Sequence, residues 1–135
     1  MKDWPRFTPP PRKQTIDLSR EERALLNAVI DRLIPADENF PPPSTLHVLD
    51  AFLRHLLPHV AHKTNLGLTE RRLRAALNDL NAAAGGDFCH ASPEKQQSLL
   101  NRLERRDPAL FQALWTLANH CYYSHLAKQR SALLS

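Results

Sequence analysis

Apolar positions recur three and four residues apart along most of the chain, the spacing that puts them on one side of a helix. Leu25, Leu26, Val29, Ile30, Leu33 and Ile34 form the first such stripe. Ser19 opens it with Glu22 three residues on, a capping box that satisfies two otherwise unpaired amides. Glu21 and Glu22 sit at the positive end of the helix dipole, and Pro35 stops the run. A second stripe, Val48, Leu49, Phe52, Leu53, Leu56 and Leu57, predicts a helix from a Ser44 or Thr45 cap to about Leu57, where Pro58 ends or kinks it. Thr69 caps a third, with Leu73, Ala76, Leu77, Leu80 and Ala84 inward and Gly85-Gly86 as its left-handed stop.

Ser92-Pro93-Glu94 reads as the N-cap and first two residues of a fourth helix, which buries Leu99, Leu100 and Leu103. Asp107-Pro108 repeats that opening for a fifth, carrying Leu110, Phe111, Leu114, Trp115, Leu117, Ala118, Cys121 and Tyr122. Its apolar residues cover more than one face, which predicts a helix that is central in the bundle or in contact with another protein. The expected fold is all-α: about five helices around one core, with residues 16–127 as the helical domain and 128–135 as a C-terminal tail. Residues 1–15 are basic and Pro-rich, and read as an extended arm of polyproline II character. A loose terminus and an arm lying on a partner both fit; Trp4 and Phe7 point to the arm, because large aromatics are enriched at interfaces.

Composition adds bounds rather than detail. A chain of 135 residues with 42% hydrophobic and 24% charged residues holds one ordinary domain with a core of its own. Only 3 Gly against 11 Pro fits helices with stiff connectors better than a sheet with tight hairpins. The net charge of +4 permits an acidic partner without requiring one. No run is apolar for long enough to span a membrane. Nor does the N-terminus carry the apolar segment of a secretory signal, so the chain is expected in the cytoplasm, or in the periplasm if trimmed or exported with a partner.

Candidate chemistry is sparse. There is no Gly-rich phosphate loop, no Cys-x-x-Cys-His haem motif and no nucleophile with a recognisable base. His55, His59 and His62 would stack three imidazoles on a continuous helix, a zinc-like spacing, but Pro58 interrupts it; a solvated polar face is the alternative. Cys89-His90 and His120-Cys121 could together supply four ligands, yet lack paired short spacing, and small buried cysteines are common. The carboxylates of Pro35–Phe40 suit a solvated turn, since a cation site needs more oxygens closer together. Arg71, Arg72 and Arg74 crowd the first turn of the third helix against the dipole. They serve either a solvated face or an anionic ligand, and the latter makes a free-standing basic helical module for nucleic acid or another acidic ligand the alternative function.

The order of these pieces resembles a known family. Leu18-Ser19-x-x-Glu22, Leu33-Ile34-Pro35-Ala36-Asp37 and Leu49-Asp50-x-Phe52-Leu53 are similar to the gluconate 2-dehydrogenase subunit 3 family. So are Leu77-Asn78-x-Leu80-Asn81, Phe88, the run from Ser92 to Leu100, Pro108-x-Leu110-Phe111 and Tyr122-Tyr123-Ser124. The resemblance implies a non-catalytic small subunit without a cofactor of its own. Its implied partner is a large FAD-dependent dehydrogenase of the glucose-methanol-choline type that oxidises a sugar, sugar acid or polyol, often with a cytochrome subunit as electron acceptor. Folding and stability of the large subunit are the implied services, and no nucleic acid is implied. Family members often begin with a twin-arginine signal, which Met1-Lys2-Asp3-Trp4-Pro5 does not resemble. Residue chemistry and resemblance together place Trp4, Phe7, Pro9, Pro10, Pro11, Trp115, Tyr122 and Tyr123 at a partner interface, with the loop from Pro35 to Phe40 shaping its edge.

Overall fold

The first helix begins where its capping box puts it. In the computed structural model, which describes residues 16–34, 40–57, 60 and 67–134, helix α1 spans Arg20–Leu33. The Ser19 hydroxyl accepts the Glu22 N–H at 3.1 Å, and the Glu22 carboxylate accepts the Ser19 N–H at 2.9 Å. Ile34 leaves the helix in an extended conformation, as the residue before a proline must. Leu25, Leu26, Val29 and Ile30 are buried, and Ile16 and Leu18 cover the core from the segment ahead of the helix.

The single helix expected from Ser44 to about Leu57 is broken in two. Pro43–Leu46 form a 3-10 turn, His47 adopts a left-handed conformation with φ 55°, and α2 follows at Leu49–Arg54. Two contacts explain the break. The Ser44 N–H goes to the Asp31 carboxylate of α1 at 2.9 Å, and the Thr45 hydroxyl turns back to the Pro42 carbonyl at 2.7 Å. The turn leaves α2 to begin without a side-chain cap. The reset at His47 lets Val48, Leu49, Phe52 and Leu53 all reach the core.

Helix α3 spans Glu70–Ala83 with Thr69 as its cap, and Gly85 and Gly86 close it at positive φ. Asn81 reinforces that closure: its side chain donates to the Gly86 carbonyl at 3.1 Å and accepts the Phe88 N–H at 3.0 Å. The turn thereby delivers Phe88, wholly enclosed, into the core. Helix α4 spans Pro93–Arg106, with Ser92 accepting the Lys95 N–H at 3.1 Å. Gln96 is the buried polar side chain among the described residues. It donates to the Phe88 carbonyl at 2.8 Å and accepts from Arg32 of α1 at 3.3 Å, so its burial is matched by hydrogen bonds joining α4, the connector and α1.

Helix α5 covers Pro108–Leu134, about 40 Å at the standard rise per residue. It therefore continues as helix through most of the stretch read from sequence as a tail. Asp107 caps it, accepting the Leu110 N–H at 3.2 Å. The helix packs against α1, α2, α4 and the 3-10 turn, while α3 packs against α1 and α4. The described residues thus form five α-helices with no strand, an all-α fold around one core.

Candidate interaction face

The outward side of α5 is the least ordinary surface among the described residues. From Pro108 to Ala127 the chain has no Asp, Glu, Lys or Arg. Where a surface helix usually alternates charge, this one presents Trp115 and Tyr123, 44% and 51% exposed, the large hydrophobic residues left open to solvent. Thr116, Asn119, His120 and Ala127 join them along one shallow, open face. Covering the exposed half of each ring is worth roughly 2 kcal/mol.

Phe40 extends this face sideways. Its half-buried ring meets Tyr123 edge-on, with centroids 6.4 Å apart, and the Arg130 guanidinium lies over it at 5.6 Å. Trp115, Tyr123 and Phe40 are therefore on the same side of the molecule as α5's outer surface. Tyr122 is placed differently from the interface expected for it. It is fully buried, and its hydroxyl donates to the Pro41 carbonyl at 2.5 Å. The side chain presents no surface to a partner; it fastens the start of the 3-10 turn to α5. Trp4, Phe7, Pro9, Pro10, Pro11 and Pro35 lie outside the described residues.

The candidate metal ligands are only partly brought together. His55 donates from Nδ1 to the Ala51 carbonyl at 2.8 Å, its ring meets that of His120 edge-on at 5.5 Å, and Cys121 Sγ lies 3.9 Å from Nδ1. His59 and His62 lie outside the described residues. His90 instead pairs with Asp87 at 2.8 Å, and that hydrogen bond holds the Asp87 carboxyl below its ordinary value. Among the described residues no group of three or more such side chains is arranged to hold a metal ion. Cys89 and Cys121 are both free thiols. Burial pushes the Cys121 thiol up to about 11, so at neutral pH it is protonated and a poor nucleophile. Partial burial and then the Asp87 charge raise Cys89 as well.

The arginines of α3 have local work. Arg72 donates to the Gly67 carbonyl at 2.7 Å and pairs with Asp107 at 3.5 Å. Arg74 pairs with Glu22 and Glu70 and reaches the Asp17 carbonyl, tying α3 to α1 and to the segment ahead of it. Arg71, the third of them, is exposed. A nucleic-acid surface built on this cluster has lost two of its three members to the fold. No helix among the described residues is long and apolar enough to cross a membrane.

Sequence reasoning missed Thr116, Asn119, His120 and Ala127 as members of the face. The absence of charge from Pro108 to Ala127 was the signal that could have found them.

These observations define a small all-α protein whose distinctive feature is an uncharged, aromatic helix surface. Compared with known families, it matches Gluconate 2-dehydrogenase subunit 3 over residues 20–132. The chain belongs to that family, which is named for a subunit of a dehydrogenase complex. Neither a curated protein nor a solved structure matches it.

Proposed function

We propose that this chain is a non-catalytic small subunit that binds and stabilises a large FAD-dependent dehydrogenase of the glucose-methanol-choline type, one that oxidises a sugar, sugar acid or polyol. The uncharged outer face of α5 is the observation that carries this reading. Depletion of charge together with exposed Trp and Tyr is the composition of an interface centre, whereas a helix meant only for water carries Lys and Glu there. Family membership supplies the kind of partner.

FAD belongs to the large subunit in this reading. The residues present here do not fit it. A dinucleotide cradle sets a Gly-rich turn at a helix N-terminus, where free amides face the pyrophosphate. Gly85 and Gly86 close the C-terminal end of α3, where carbonyl oxygens would face that anion instead.

Co-expression tests the proposal. The large subunit made alone is expected to be poorly soluble and low in bound flavin; made with this chain, it is expected to be yellow and active. Equal yield and activity with and without the small chain would refute the stabilising role. Dehydrogenase turnover by the small chain alone would refute the non-catalytic one.

A further inference from the structure

Beyond Ala127 the outer side of α5 changes character. Lys128 and Arg130 are exposed, and the helix contains no Asp or Glu from Pro108 to its end. Arg130 does not extend freely into water. Its guanidinium rests over the Phe40 ring at 5.6 Å, and Phe40 in turn meets Tyr123 edge-on at 6.4 Å. A guanidinium held over a ring face by cation-π attraction leaves its N–H donors to other partners, in the planar fork that grips a carboxylate with two hydrogen bonds. No carboxylate among the described residues pairs with Arg130. The loop side of this corner is also fixed, because the buried Tyr122 hydroxyl holds the neighbouring Pro41 carbonyl at 2.5 Å.

We infer that the corner formed by Tyr123, Phe40 and Arg130 receives an Asp or Glu side chain of the large subunit, set beside an apolar patch that covers Trp115 and Tyr123. The inference rests on the proposed role of α5 as the partner-binding face, and adds the chemistry that recognises the partner. Charge complementarity selects this occupant. A second copy laid on the same face would bring Lys128 and Arg130 to a helix with no acid to meet them. The aromatic stretch supplies burial, while Arg130 supplies register and orientation, the usual division between an interface centre and its charged edge.

The test uses the assembled small and large subunits, with association followed by biolayer interferometry over a range of potassium chloride concentrations. Arg130→Glu is expected to weaken the complex at least 30-fold and to flatten the salt dependence of association. Arg130→Lys, which keeps charge but loses the fork, is expected to weaken it several-fold. Arg102→Glu, on the outer side of α4, is expected to change nothing. Circular dichroism melting establishes that each variant is folded, and Arg130→Gln replaces the charge reversal should that variant melt early. If Trp115→Ala weakens the complex while neither Arg130 variant does, the carboxylate assignment is wrong and the α5 face stands. If none of the three matters, the face itself is wrong. Two other outcomes overturn the choice of occupant: Arg130-dependent binding of the free chain to phosphatidylglycerol vesicles with the complex unaffected, or Arg130-dependent self-association of the free chain.

Discussion

Helices α4 and α5 are joined through a single residue, Asp107, yet they meet solvent in opposite ways. The outer side of α4 shows Glu94, Lys95, Arg102, Glu104, Arg105 and Arg106, all exposed, around a narrow buried stripe of Gln96, Leu99, Leu100 and Leu103. That is the profile of a helix finished by packing against α3 and α5. On α5 the buried positions include Leu110, Ala113, Leu114, Leu117, Ala118, Cys121 and Tyr122, and the opposite side carries Trp115 and Tyr123 in place of charge. Both helices satisfy the same core. Only α5 leaves apolar area uncovered once that core is complete, so the difference lies outside folding and points to assembly.

The sharpest way to break this comparison is within α5 itself, at two adjacent tyrosines. Tyr122→Ala empties a fully buried site and removes the bond to Pro41, so chemical denaturation should report a loss of about 3–5 kcal/mol. Tyr123→Ala removes a half-exposed ring that meets Phe40 and should cost less, about 1–2 kcal/mol. A loss of folding stability at Tyr123 as large as that at Tyr122 would mean that the outer face is part of the core.

Assembly is the next largest effect. The double variant Trp115→Ala, Tyr123→Ala should weaken binding to the large subunit by about 100-fold, or ~2.7 kcal/mol, in a titration of purified subunits. The matching double change on α4, Arg102→Ala with Arg105→Ala, should shift the same titration by less than about 0.5 kcal/mol. Comparable losses on both helices would erase the distinction between them.

Smaller effects probe how α4 is held. Gln96→Leu leaves the buried Phe88 carbonyl without its 2.8 Å donor and should cost about 1–2 kcal/mol of folding stability, read from the urea midpoint. Ser92→Ala removes the cap of α4 and should cost about 1 kcal/mol by the same measurement.

The thiols give the mildest test. Maleimide should label exposed Cys89 within the folded protein and reach Cys121 only on unfolding. The Cys121 thiol is raised from 9.0 to about 11 in the folded chain, so the folded state holds its proton longer than the unfolded state does. Its contribution is complete below pH 9 and is lost as pH rises toward 11. Wild type should therefore lose stability faster than Cys121→Ala over that interval in melts at fixed ionic strength. Parallel curves would mean that the thiol is not shielded.

Helix ends were the most legible part of the chain. Ser19 with Glu22, Thr69, Ser92 and Asp107 all cap the helices they were expected to cap, and Gly85-Gly86 closes α3. The 3-10 turn was not legible, because the group that takes the Ser44 amide belongs to Asp31, on another element. The same holds for Arg72 and Arg74. Their placement against the helix dipole left a solvated face and an anionic-ligand site both open, and their ion-pair partners Asp107, Glu22 and Glu70 lie on other elements or turns. Of the candidate interface, Trp115 and Tyr123 were readable as surplus aromatics on an over-apolar helix, whereas the contacts of Phe40 with Tyr123 and Arg130 were not.

By itself the sequence determined the all-α class, the capped starts of four of the five helices, and the excess of apolar residues on the last helix. Those properties come from interactions within three or four residues along the chain, and side-chain spacing records them directly. Which of two neighbouring tyrosines turns inward, where a buried glutamine finds its partners, and what an arginine rests on were decided by tertiary structure. Each depends on at least one group dozens of positions away, brought into contact only when the helices pack around a shared core.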